Sequence, residues 1–237
     1  MSLALDLLAP HTPDVRLRLL GGFELTVDGR SRELPPAAAR LVAFLGLQGH
    51  PLVRSHVAGV LWGERTEERA GACLRSAIWR ANAGAPVVRA SRSRIGLAPL
   101  SVDAREAADA AHAQLVGGAP VPPDVLSGEL LPGWYDDWVV VERERLRQLC
   151  LEAMEQMSQT LLDAGQWHRA IEAALAVVAI EPLRESAHRV LVEAYVGACN
   201  RGQALRQFRR CRELLERELG LAPGDELVAA AARAEGR

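Results

Sequence analysis

Four pairs of residues 34 positions apart set the tightest limit on the fold: Leu161 with Tyr195, Ala170 with Ala204, Ile171 with Leu205, and Ala174 with Phe208. A period of that length accommodates two short helices and their turns, so this part of the chain is expected to stack helix pairs rather than extend a sheet. Two copies leave both outer faces uncovered, and flanking helices must close them. A long helix over about 137–164, with Leu146, Leu149, Ala153, Met157 and Leu161 on one stripe, and a last helix over about 224–232 are the candidates.

The spacing is that of the tetratricopeptide repeat. Gly165-Gln-Trp-His-Arg-Ala170-Ile171 follows that repeat's order of glycine, aromatic and small residue, and Pro182 closes the first copy. The second copy departs from it, with Cys199 at the glycine position and a proline only at Pro223. Upstream, an Ala-rich helical stretch begins after Val102-Asp103 and is broken by a Pro/Gly-rich loop at 117–123. Trp134, Tyr135 and Trp138 form an aromatic cluster ahead of the long helix; such clusters more often staple a loop to a core than bind a ligand.

The first half has a different grammar. After a loose leader at 1–14, Val15, Leu17 and Leu19 alternate with Arg16 and Arg18, Gly21-Gly22 turns the chain, and Phe23, Leu25 and Val27 alternate with Glu24 and Thr26. Asp28-Gly29 marks a second tight turn before a third short strand near Arg32 to Leu34, giving a small antiparallel sheet. Pro35-Pro36 opens a helix that buries Ala38, Leu41, Val42 and Leu45 and ends at Gly49-His50-Pro51. A second helix, from Ser55 to about Trp62, has Val57, Val60 and Leu61 as its inner side. A third begins at the N-cap Thr66, with Glu67 and Glu68 at its positive end, and places Ala70, Leu74, Ala77, Ile78 and Ala81 on one apolar stripe. A hairpin at 86–97 carries Arg89, Arg92 and Arg94. Sheet, three helices and hairpin in that order describe a winged helix, in which the second and third helices form the helix-turn-helix.

The outward face of the third helix shows Arg69, Ala72, Ser76 and Trp79, flanked by Arg75 and Arg80. Small residues allow close approach to a major groove, and arginines read guanine edges or hold phosphates. Taken alone, such a helix reads more readily as an ordinary amphipathic helix with solvated arginines. Charge distribution weighs against that: residues 1–105 hold 14 Arg and 9 Asp plus Glu, a balance of +5, while residues 106–237 hold 14 and 21, a balance of −7. A basic half suits a polyanion, and the acidic half suits a protein partner.

Other chemistry is missing. All 28 basic residues are arginine, which excludes a P-loop lysine and a Schiff-base lysine. The six histidines and four cysteines never fall at metal-ligand spacing, and the cysteines read as reduced and structural. No nucleophile elbow or dinucleotide fingerprint occurs, and Glu67-Glu68 and Asp136-Asp137 are explained by helix dipoles. No catalytic residue, metal or cofactor is therefore expected. A start without basic residues and the lack of a long apolar run point to a cytoplasmic protein away from the membrane.

Leu19-Leu-Gly-Gly-Phe-Glu-Leu-Thr-Val-Asp-Gly29, Leu61-Trp-Gly63, Gly165-Gln-Trp-His-Arg-Ala170, Glu181-Pro-Leu-Arg-Glu-Ser-Ala-His188 and Glu218-Leu-Gly-Leu-Ala-Pro223 together resemble the SARP class of bacterial transcriptional activators, typical of antibiotic-producing actinobacteria. The resemblance implies a mainly α chain with a small antiparallel β component: an OmpR-type winged helix at 15–100, then a tetratricopeptide-like bacterial transcriptional activation domain at 103–235. It places the recognition helix at 69–82 and the wing at 87–97, so Arg69, Arg75, Ser76, Trp79, Arg80, Arg89, Arg92 and Arg94 are the expected DNA-binding residues. It further implies side-by-side copies on direct promoter repeats of double-stranded DNA and recruitment of RNA polymerase, with a secondary-metabolite gene cluster as the regulated locus. Where the family commonly ends its recognition helix with Leu-Arg-Arg, this chain has Trp79-Arg-Ala-Asn82. The rival reading is a protein-interaction adaptor whose winged helix no longer binds DNA. On this division a chain ending near Ala104 is expected to keep a complete core of its own.

Overall fold

A computed structural model of the chain describes residues 13–118, 121–122, 125–126 and 128–236. All but the last two residues of the expected leader lie outside these. The chain forms two compact units: one holds the described residues up to Glu106 together with Gly128–Glu144, the other the remainder.

In the first unit, β1 (Val15–Arg18) alternates buried and exposed residues and pairs antiparallel with β2 (Glu24–Val27) across the Gly21-Gly22 turn. Asp28 and Gly29 both take positive φ, 51° and 74°, a tight turn that Asp accepts and that Gly, without a Cβ, adopts freely. Pairing resumes at once, so β3 is Arg30–Ser31 rather than a strand near Arg32 to Leu34. Three helices follow. α1 (Pro36–Gln48) starts on a proline whose missing N–H costs nothing there and stops at Gly49 in the left-handed region. A two-residue strand β4 (Leu52–Val53) leads into α2 (Arg54–Trp62), and α3 (Glu67–Ala81) follows. In α2 the inner side is Val57, Ala58, Leu61 and Trp62, whereas Val60 is exposed. The helix turns 100° per residue, and Ala58 and Trp62 complete the stripe that Val57 and Leu61 begin.

Strands β5 (Val88–Ala90) and β6 (Arg94–Leu97) make the hairpin, with β4 added on the other side of β6. β7 (Ser101–Val102) then returns to pair parallel with β1, giving the order β3-β2-β1-β7. Leu17, Leu19, Leu25, Leu41, Leu61, Leu74 and Ile95 are the largest side chains wholly enclosed by these elements.

Residues 128–144 belong to this same unit. Leu20 bridges Leu130, and Leu131 donates its N–H to the Leu19 carbonyl at 2.9 Å. Arg143 ties the segment down by donating to the carbonyls of Leu130, Leu131 and Trp134 at 2.7, 2.6 and 3.0 Å. Trp134 stacks on Phe23 with ring centroids 5.9 Å apart, Trp138 meets Phe44 edge-on at 5.3 Å, and Arg40 pairs with Asp136. Two of the three clustered aromatics are thus spent on packing, and Tyr135 is left exposed.

The second unit is helical. It takes in most of α4 (Asp103–Leu115), the later turns of α5 (Asp137–Asp163), then α6 (Trp167–Ile180), α7 (Glu185–Gly197), α8 (Arg201–Leu219) and α9 (Asp225–Glu235). The 34-residue period recurs hydrogen bond for hydrogen bond. Gly165 N–H to Leu162 O and Cys199 N–H to Val196 O are both 2.9 Å, and Gln166 N–H to Leu161 O at 2.9 Å answers Asn200 N–H to Tyr195 O at 2.8 Å. Gly165 and Cys199 both sit in the left-handed region, φ 70° and 58°. Ala170 and Ala204, the small residues one turn further on, are fully buried. Packing of α7 against α6, α8 and α9 closes the array.

Candidate nucleic-acid interface

The third helix buries Ala70, Leu74, Ala77 and Ala81 and half-buries Ile78. Its other face is open to solvent, with Arg69, Ala72, Arg75, Ser76 and Arg80 exposed and Trp79 at 74% exposure. A tryptophan so exposed forgoes most of the free energy that its burial would supply. Thr66 occupies the N-cap position in an extended conformation, but its side chain makes no capping hydrogen bond. Glu67 and Glu68 alone complement the dipole there.

Asn82 is the residue that joins helix to wing, and periodicity does not reveal it. Its Oδ1 accepts from the N–H groups of Val87 and Val88 at 3.0 and 2.7 Å, and its Nδ2 donates to the Val88 carbonyl at 2.8 Å. Three bonds from one side chain fix where the hairpin leaves α3. The available signal was local: an Asn just past the last helical residue, with Gly84 two positions on, is C-cap chemistry. Arg32 adds to the same end, donating to the Arg80 carbonyl at 3.2 Å, where the helix dipole is negative; burial lowers its pKa.

The hairpin turn is closed by Ser91, whose Oγ accepts from the Arg94 N–H at 3.0 Å. Arg54, at the start of α2, donates to the Ser91 carbonyl at 3.2 Å and holds the turn from below. Arg89, Arg92 and Arg94 are all exposed, but Arg94 also donates to the Pro51 carbonyl at 3.1 Å, so part of its guanidinium is already engaged. No ion pair involves Arg69, Arg75, Arg80, Arg89 or Arg92 among the described residues. Elsewhere in the same unit arginines do find acids, as Arg40 does with Asp136 and Arg18 with Glu24. The helix face and the wing therefore carry uncompensated positive charge on one framework.

The bacterial transcriptional activator domain model matches residues 99–233. The chain belongs to that family. "Regulatory protein AfsR" of Streptomyces coelicolor is 27% identical over 230 residues, covering 88% of this chain and 23% of the relative. The protein of the same name from Streptomyces griseus is 28% identical over 246 residues, covering 92% of this chain and 24% of the relative. The chain thus spans about a quarter of the length of these curated relatives. Among solved structures, Mycobacterium tuberculosis EmbR in complex with a low affinity phosphopeptide matches with a TM-score of 0.73 at 22% identity, over 94% of this chain and 65% of that one, which establishes the likeness of fold. Family membership and fold bear out the likeness to SARP-class activators and the mainly helical reading, a winged helix with a helical-repeat domain. Among the described residues, no group of His, Cys, Asp or Glu could hold a metal ion, and no helix is long and apolar enough to cross a membrane.

Proposed function

We propose that this transcriptional regulator binds double-stranded DNA sequence-specifically through α3 and the wing and activates transcription by recruiting RNA polymerase. The observation that carries the reading is the face formed by Arg69, Arg75, Ser76, Trp79 and Arg80, cationic and unpaired, with the wing arginines held beside it by Asn82. In a major groove, Arg69 or Arg75 reads a guanine edge, Ser76 a base edge, and Trp79 a thymine methyl or the sugar backbone. Arg89, Arg92 and Arg94 serve as phosphate or minor-groove contacts. Two copies side by side on direct repeats would place one wing near the next helix. The regulated locus in this reading is a secondary-metabolite gene cluster, the site of action is the cytoplasm, and the helical repeats offer protein-binding faces without catalysis.

The weaker cationic end of α3 motivates the adaptor alternative, but Asn82 at that end bonds the backbone of Val87 and Val88 and so keeps the wing beside the helix. The test is a salt-titrated binding series on promoter fragments. A DNA binder loses affinity linearly in log[salt], and replacing Arg92 and Arg94 together by Ala should flatten the slope by about one to two units. Binding that is absent at low salt would favour the adaptor.

A further inference from the structure

The acidic second half carries one face of opposite sign. Arg201, Arg206, Arg209, Arg210 and Arg212 are all exposed on α8, and no acidic residue lies between positions 200 and 212. The opposite side of the helix is fixed in the core by Ala204, Gln207, Cys211 and Leu215, so rotation cannot hide these arginines. At 1.5 Å per residue they extend along about 16 Å of helix axis. No ion pair engages any of the five among the described residues; Arg206 only donates to Gln203. Arginines elsewhere in the same unit are neutralised, Arg184 by Glu155 at 2.8 Å and Arg233 by Glu193 at 2.5 Å. The −7 balance of residues 106–237 thus averages over a locally basic helix.

Two kinds of partner suit a cationic face, an acidic protein segment and a phosphate backbone. Protein interfaces draw most of their affinity from apolar or aromatic anchors. This face has none. Leu205 and Phe208 are turned into the core cluster, and the exposed Leu219 lies at the far C-terminal end. A row of arginines without an anchor is what phosphate contacts require, since they are made by charge and are independent of sequence. We propose that the arginine face of α8 grips the phosphate backbone of duplex DNA, as a second and sequence-independent contact beyond those of α3 and the wing. The proposal rests on the reading of the chain as a DNA-binding protein.

The experiment compares the full chain with two variants, Arg206→Gln/Arg209→Gln/Arg210→Gln and Arg75→Gln/Arg92→Gln, on a random-sequence duplex over a salt series, with thermal unfolding of each to establish that the fold is kept. Each phosphate contact contributes about 0.9 to the slope of log K against log[salt], so the α8 variant should lose about two to three units while melting as the parent does. An unchanged slope in the α8 variant, with a reduced slope in the α3 and wing variant, overturns the second contact and leaves the first standing. A reduced slope only in the α8 variant upholds the inference and overturns the assignment of α3 and the wing. Loss of capture of polyglutamate, with DNA binding unaffected, would assign the face to an acidic protein and sink the proposal, as would a parent chain that binds no duplex at any salt.

Discussion

Arg75 and His188 show how a single side chain's surroundings decide what its replacement does. Arg75 is exposed and unpaired, so Arg75→Ala costs the fold little; if the arginine reads a guanine it should cost about 1–3 kcal/mol of DNA affinity, and preference should relax at one position only. Electrophoretic or anisotropy titration against a panel of single-base variants checks this. An equal loss on every sequence would make Arg75 a phosphate contact, and no loss would return α3 to an ordinary solvated surface. His188 is wholly buried, with Nε2 2.9 Å from the Pro182 carbonyl and Nδ1 2.8 Å from Nε2 of Gln207. The tautomer that satisfies both carries its proton on Nε2, which donates to Pro182, while Nδ1 accepts from the amide. Protonation would set two donors face to face. Burial pushes the His188 pKa below its ordinary 6.5; the bond to Pro182 opposes it, the charge of Arg210 adds a lesser push in the same direction as burial, and Glu185 has the smallest, raising, effect. The unfolded chain then takes up its proton at a higher pH than the folded one. The contribution is whole above about pH 6.5 and is lost as pH falls from there toward the native value. Urea midpoints measured between about pH 7 and pH 5 should fall, and fall less steeply in His188→Gln; parallel slopes would assign the acid sensitivity to other groups.

Elements whose signal is local were legible in the chain; those that depend on a distant surface were not. The winged-helix order rests on alternation, on a 3.6-residue stripe in α3 and on turn residues at Gly21, Gly29 and Gly49, each readable within a few positions. The two-residue strands β4 and β7 were missed because two residues show no alternation, and both form only by pairing with a partner far along the chain. The aromatic cluster signalled burial without saying where. Only the structure assigns Trp134 to Phe23 and Trp138 to Phe44. In the site, the exposed arginines of α3 were legible from the helical wheel and those of the wing from the hairpin pattern, whereas Asn82 and Arg54, which tie the hairpin to the helices, act through backbone groups that no periodicity marks. The repeat supplies its own test. Cys199 adopts φ 58° where Gly165 adopts 70°, and a side chain in that region costs about 1–2 kcal/mol that glycine avoids. Glycine also frees the unfolded chain, which returns about 0.4–1 kcal/mol of the gain. Cys199→Gly should therefore raise the melting temperature modestly, and Gly165→Ala should lower it by more than a surface substitution does. The reverse order in a thermal scan would mean the two turns are not equivalent.

At the scale of the whole molecule, binding and activation are expected to separate, but the cut does not fall where composition suggests. The shift from arginine-rich hairpin to Ala-rich helix places a boundary near Val102-Asp103, yet residues 128–144 complete the first unit. Asp103 itself is part of that unit's closure, its carboxylate accepting from the Leu19 and Leu20 N–H groups at 2.8 and 3.1 Å. A chain ending at Ala104 keeps Asp103 but strips Leu130, Leu131, Trp134 and Trp138 from the surface of Leu19, Phe23 and Phe44, and leaves the Arg40 guanidinium without Asp136. Losing several large buried side chains at about 1.5–3 kcal/mol each approaches the whole stability of a small domain. Such a truncated protein is expected to be unfolded or molten and to bind DNA poorly, and its failure to activate would then say nothing about which half activates. The informative perturbation keeps the chain whole. Ala204→Glu places a charge at a fully buried helix contact in the second unit, at a cost of several kcal/mol, without touching residues 128–144. Binding and in vitro transcription are then read in parallel on a promoter fragment the parent occupies. The expected outcome is retained, weaker occupancy with transcription lost. Full activation with the second unit melted would remove the helical repeats as the activating domain.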